Sequence, residues 1–197
     1  FIQDSMFDKV EREIKIALIL CEILNQDSNN ITKAISISKN DLLSEMVGEF
    51  GELQGIMGSY YTTDETLKLM IKEQYLPLQE DSLLPSSLES AIVAISNKLD
   101  SILSLFAIDK IPSGSKDPFA LRRAASGIIK IVMRFEISLN LFDILPRLKL
   151  YYKKIDEIEE YNSEKVLNAF IENSISETDF NSTTGYGYND TGRDKIE

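Results

Sequence analysis

The sequence contains no histidine, no tryptophan and only one cysteine. Without histidine there is no Ser-His-Asp or Cys-His catalytic arrangement, no imidazole proton shuttle and no histidine-ligated metal. Cys21 has no internal disulfide partner, and its place in an apolar helical pattern marks it as a core thiol suited to a reducing compartment. Long uncharged apolar runs are missing as well. A spanning helix takes ~18 to 20 such residues, and the longest candidate, Ile14 to Leu24, carries Lys15 and Glu22. The start pairs no basic end with an apolar run and a small-residue cleavage site, as a secretory signal would. Phosphate loops of the GxxxxGK[ST] or GxGxxG kind and the alternating acids of a calcium loop are also missing. The chain opens at Phe1 rather than at methionine, which fits a segment of a longer protein.

What is present is apolar and acidic. Apolar residues make up 43% of 197, enough for a real core. The net charge is −11, from 21 basic and 32 acidic side chains. Such a surface repels a polyanion at long range, so a nucleic-acid contact would need a local basic patch or other domains.

Helical periodicity dominates and predicts an all-α fold. Val10, Ile14, Ala17, Leu18, Cys21 and Leu24 share one helix face, with Asp4 or Ser5 as cap and the polar stretch 25–30 as terminator. Residues 31–37 suit a helix or an extended segment. Ser38 and Asp41 have the spacing of a capping pair. Gly48, Gly51, Gly55 and Gly58 point to close packing or to a break between two short helices. Residues 64–75 form a helix capped by Thr63 or Asp64 and stopped before Pro77. Ser87 caps a long helix whose buried stripe runs from Ala91 to Phe106. Asp117 and Pro118 read as cap and first residue of a helix reaching about Arg134. Residues 139–155 are helical around Pro146, and 166–175 form a last short helix. The composition divides the chain into a helical domain over 1–177 and a flexible tail over 178–197, rich in Asn, Thr, Gly and Asp.

Few side chains here can do chemistry. Lys116, Arg122 and Arg123 cluster near a helix N-terminus, where the macrodipole disfavours cations. Either they bind RNA phosphates, helped by loop amides near Gly114, or they pair with Glu45, Glu49, Glu52 or Asp100. Asp100, on a largely apolar helix, suits a buried arginine partner better than a metal site. Glu45, Glu49 and Glu52 have the spacing of paired acids, but without a nucleophile or base they read as a solvated face. Tyr60, Tyr61, Tyr151 and Tyr152 could stack on bases, and the commoner use is a core edge with a wet hydroxyl.

Two long stretches carry a family resemblance. SKNDLLSEMVGEFGELQGIMGSYY over 38–61 is similar to the KADL-x-T-x-MV-x-EF-x-ELQG-x-MG-x-x-YA signature of the β subunit of bacterial two-subunit glycyl-tRNA synthetases. PSGSKDPFALRRAA over 112–125 resembles that family's P-T-GSKDPFALRRAA. Between them EQYLP over 73–77 resembles EHYLP, and NKLDSI over 97–102 resembles DKLDTL, in matching order and spacing. The resemblance runs from Lys9 to Leu150. It implies a multi-helix orthogonal bundle related to the HD phosphohydrolase fold but without its histidines, as the chain has none, and Gln74 stands where family members often have His in EHY. It further implies a non-catalytic region that supports tRNA binding, with no metal and no cofactor of its own. ATP and Mg²⁺ would act at the active site of an α subunit, in a cytoplasmic α2β2 enzyme that charges tRNA(Gly) with glycine. Lys116, Arg122 and Arg123 are then the expected RNA contacts. The rival readings are a stand-alone helical interaction module and an HD-type metal phosphohydrolase, the latter opposed by the missing histidines.

Overall fold

The computed structural model describes residues 5–79, 81–108, 110–112, 117–149 and 151–152. Among them are eight α-helices and no strand. The expected helix over 166–175 and the tail over 178–197 lie outside the described residues. So do Asp4 and Lys116.

Helix α1 (Met6–Leu24) opens with a reciprocal capping box between Ser5 and Asp8 and closes on Asn25 in the left-handed conformation. Residues 31–37 resolve as helix: α2 spans Asn29–Ile37, with Ile31, Ala34 and Ile35 buried. A short irregular stretch follows. It holds 3₁₀ turns at Asn40–Leu43 and Gly51–Leu53 and the short helices α3 (Glu45–Glu49) and α4 (Ile56–Ser59). Asp64 caps α5 (Glu65–Glu73) through the Thr66 and Leu67 amides, and Ser87 caps α6 (Leu88–Phe106) through the Ser90 amide. Helices α7 (Leu121–Arg134) and α8 (Leu141–Lys149) complete the set, with Pro146 inside α8.

Helix α6 is the central strut, because its apolar residues cover most of its circumference and α1, α5 and α7 all pack on it. Helix α2 packs on α1 and α5, and α4 packs on α5. Ile16, Leu20, Ile31, Ile35, Leu67, Ile71, Ile92, Ile95, Leu99, Ile102 and Ile131 form the closed core, with Cys21 among them. Burial pushes the Cys21 thiol above its ordinary range, as suits an inert core sulfur.

Ser38 and Asp41 do not form the expected capping pair. The Ser38 hydroxyl donates back to the Ile35 carbonyl at the end of α2. Asp41 turns inward, and its Oδ2 accepts from the Gly55 and Gly58 amides at 2.7 and 3.1 Å. The glycines serve both expected purposes. Gly55 breaks the chain with φ 76°, while Gly58 lies so close to Ile71 and Asp41 that a Cβ would fall 3.0 and 3.2 Å from them.

Candidate nucleic-acid interface

The start of α7 decides where the basic residues point. The helix begins at Leu121, not at Pro118, because Ala120 takes up a left-handed conformation with φ 55°. Residues 117–120 form a turn closed by the Ala120 amide on the Asp117 carbonyl. Over this turn the Asp117 carboxylate accepts from the Leu121 and Arg122 amides, both at 2.9 Å. Asp117 therefore does serve the helix end, from outside it rather than as the residue next to it. Its charge also offsets the unfavourable field that the helix end imposes on Arg122 and Arg123.

Arg122 is half-buried and Arg123 exposed. With Ser126, Gly127 and Lys130 of the same helix, and with Pro77 and Gln79 from the segment after α5, they line an open groove of about 240 Å³. Among the described residues no carboxylate lines it. Gly127 permits the close approach that shapes the floor, since a Cβ there would fall 3.1 Å from Lys98 Cε and 3.3 Å from Pro77 Cγ. Lys98 Nζ donates to the Tyr75 and Pro77 carbonyls at 2.9 and 3.1 Å, tying α6 to the segment after α5. Burial, with the Arg123 charge adding to it, lowers the Lys98 ammonium to about 8. On the other side of Arg123 a second groove of about 330 Å³ is lined by Gly51, Glu52, Gln54, Tyr75, Pro77, Leu78, Lys98, Ala120 and Ala124.

The alternative pairings for the arginines fare differently. Among the described residues no ion pair joins Arg123 to Glu45, Glu49, Glu52 or Asp100, and those three glutamates lie exposed. Asp100 is an arginine partner, as expected, but the arginine is Arg12 of α1. Arg12 Nε donates to Asp100 Oδ1 at 2.7 Å, Lys9 Nζ to Oδ2 at 2.9 Å and the Tyr152 hydroxyl to Oδ1 at 2.9 Å. Burial, followed by the Asp100 charge, pushes the Tyr152 phenol well up. Tyr152 is thus a buried tie, whereas Tyr60, Tyr61 and Tyr151 are exposed.

The network continues through Glu13, which Lys9 Nζ reaches at 3.0 Å and Lys39 Nζ at 3.5 Å. Lys39 also donates to the Gln74 side-chain oxygen, and its ammonium lies 4.7 Å from the centre of the Tyr75 ring. Burial lowers the Lys39 ammonium to about 8 despite the attraction of Glu13. Gln74 fixes its own amide on the Ser38 and Ile71 carbonyls, so this position is a structural hydrogen-bonding hub. Among the described residues no group of three or more Cys, Asp and Glu side chains is arranged to hold a metal. No described helix is long and apolar enough to cross a membrane.

Structure brings Arg122 and Arg123 together and adds Lys130, Ser126 and Gln79, which the sequence reading missed. The signal for two of these was there: Arg122, Ser126 and Lys130 recur at four-residue spacing along one helix face.

Comparison with known proteins gives a consistent picture. The family described as glycyl-tRNA synthetase beta subunit matches residues 4–184. The glycine–tRNA ligase beta subunit of Helicobacter pylori (strain Shi470) is 47% identical over 179 residues, covering 85% of this chain and 25% of that protein. The Streptococcus gordonii beta subunit is 40% identical over 173 residues, covering 84% of this chain and 25% of that protein. The subunit from Pseudomonas savastanoi pv. phaseolicola is 45% identical over 143 residues, with 71% and 21% covered. The chain thus spans about a quarter of the length of the curated relatives it matches.

Proposed function

The chain belongs to the glycyl-tRNA synthetase beta-subunit family, and from that premise we propose that it is a non-catalytic region that helps position tRNA(Gly) for charging. In this reading an α subunit activates glycine with ATP and Mg²⁺, the whole enzyme is a cytoplasmic α2β2 assembly, and this region supplies RNA contacts.

The observation that carries the reading is the groove beside Arg123, whose described lining is basic and holds no acid. In a chain with 32 acidic residues and a net charge of −11, a groove that gathers Arg122, Arg123 and Lys130 with no carboxylate among its described lining residues favours an anion. Arg123 is exposed and has no ion pair among the described residues, so a phosphate can reach its guanidinium without displacing a partner. Asp117 already occupies the amides at the helix end, so the affinity rests on side chains rather than on the helix terminus.

The test is Arg122→Glu with Arg123→Glu in the full-length β subunit, assayed with its α subunit. Charging of tRNA(Gly) should fall by at least tenfold in kcat/KM for tRNA, because two attractive contacts become repulsive. Glycine-dependent ATP–pyrophosphate exchange, which needs no tRNA, should be unchanged. Equal charging by the variant overturns the reading.

The interaction-module reading has an observation of its own. Leu43, Phe50 and Tyr60 are 90%, 51% and 70% exposed around α3 and α4, and Glu45, Glu49 and Glu52 are exposed on the same stretch of chain. Exposed apolar side chains on an acidic stretch suit a protein partner that is apolar and basic. Within the same family assignment that partner is the α subunit or another part of β. Leu43→Asp with Phe50→Asp should then weaken co-purification of α with β while tRNA binding by β persists.

A further inference from the structure

Arg123 separates two grooves of unlike chemistry. The first holds cations and, among the described residues, no acid. The second is lined by Glu52 and Gln54, by the apolar residues Leu78, Ala120 and Ala124, and by Tyr75. Leu78 is 56% exposed, an apolar side chain with little covering it. A phosphate would be repelled by Glu52, whereas the amino group of a base or a ribose hydroxyl could donate to it. At about 330 Å³ the second groove sits at the small end of ligand clefts, large enough for one base and too small for a base pair with its backbone.

We propose that the second groove receives the base of one unpaired RNA nucleotide while the first holds a phosphate of the same strand. This inference rests on the phosphate reading above, since Arg123 and Pro77 line both grooves and place the two ligand parts side by side. Lys98 supports the arrangement from beneath. Two of its three ammonium protons bind the Tyr75 and Pro77 carbonyls, which fixes the common wall of both grooves. The chemistry of Glu52 selects among bases. Guanine, adenine and cytosine present an amino donor, whereas uracil presents two carbonyls flanking a single N–H, so uracil is the poorest fit. Its apolar lining residues accept the base face without sequence preference.

The experiment uses the full-length β subunit with its α subunit and tRNA(Gly). A photoreactive benzoylphenylalanine replaces the exposed Leu78. Cross-linked tRNA is then mapped to the nucleotide. The expected result is one cross-link to an unpaired, non-uracil nucleotide, lost when Arg122→Glu and Arg123→Glu are added. In parallel, Glu52→Gln should lower kcat/KM for tRNA about three- to tenfold, with ATP–pyrophosphate exchange unchanged. Cross-links confined to paired nucleotides, or none, would sink the base-binding inference, and tRNA charging that still depends on the two arginines would leave the phosphate reading standing. A cross-link and charging activity that both survive the arginine reversal would overturn the phosphate reading and this inference with it.

Discussion

Arg12 Nε donates to Asp100 Oδ1 at 2.7 Å, joining α1 to α6 across 88 residues of sequence. Asp100 is 1% exposed, and Lys9 and Tyr152 converge on the same carboxylate. Replacing that carboxylate by an amide removes the charge between two cations and turns an NH2 group toward one of them, while Lys9 keeps Glu13 at 3.0 Å and Arg12 keeps the Ser104 hydroxyl at 3.2 Å. Asp100→Asn should therefore destabilise the domain by about 3 to 5 kcal/mol. Urea denaturation compares it with Arg12→Met, which leaves Lys9 and Tyr152 on the carboxylate and should cost less. Equal, small losses would mean that the network carries little energy.

Lys39 predicts a pH dependence. Its ammonium is lowered from 10.5 to about 8, first by burial and then by the nearby Lys9 charge, against the pull of Glu13 and Asp100. Gln74, Asn97 and the Tyr75 ring complete its surroundings. Below pH ~8 both folded and unfolded states hold the proton. Between pH ~8 and ~10.5 the unfolded chain binds more protons, so this lysine's contribution to stability rises with pH, by at most ~1.4 kcal/mol per pH unit. Compared with Lys39→Met, the parent should gain relative stability from pH 8 to 10 and show a constant difference from pH 6 to 7.5. Denaturant midpoints at each pH measure it, and parallel curves throughout would count against a buried, depressed ammonium.

The glycines separate by position. Gly58→Ala forces a Cβ to 3.0 Å from Ile71 Cγ2 and 3.2 Å from the Asp41 carboxylate, and should cost about 1 to 3 kcal/mol. Gly55→Ala adds left-handed strain and a Cβ 3.0 Å from the Ile71 carbonyl oxygen, and should cost at least as much. Gly48 in α3 has nothing within 4 Å of its would-be Cβ, so Gly48→Ala should be neutral or stabilising by up to about 1 kcal/mol. Thermal melting of the three variants gives the ranking directly.

Salt dependence examines the groove more gently than charge reversal. If Arg123 neutralises one phosphate, Arg123→Gln in the whole enzyme should reduce the slope of log K for tRNA against log salt by about 0.7 to 0.9. Glu65, exposed and paired with Lys68 away from the groove, supplies the control: Glu65→Gln should leave the slope unchanged. Identical slopes for Arg123→Gln and the parent would remove Arg123 from the phosphate contacts.

Much of the helical framework was legible in the residues. Ser5, Asp64 and Ser87 cap the helices they were expected to cap, because a cap is a local bond between a side chain and amides two or three residues on. Asp117 was legible only in part. Its carboxylate does bind helix amides, but the start of α7 was set by the left-handed Ala120, which no propensity marks. Ser38 and Asp41 had capping spacing, yet Asp41 found stronger donors in Gly55 and Gly58, far enough along the chain to be invisible to a local rule.

For the candidate site, sequence pattern singled out Arg122 and Arg123 because adjacent cations near a helix start are unusual. It could not choose their partners. The expected buried aspartate–arginine pair exists, but α1 reaches Asp100 first with Arg12, and Arg123 is left facing solvent. Composition and periodicity by themselves determined an all-helical chain with a closed aliphatic core and no histidine chemistry, since those depend on residue type and local spacing. Only the tertiary structure decided that Lys39 is buried against Gln74, that Pro77 and Gly127 shape a groove beside Arg123, and that no acid lines it among the described residues. The physical reason is range: a helix is closed by bonds four residues apart, whereas a charge finds its partner, or goes without one, through packing between segments that the sequence holds far apart.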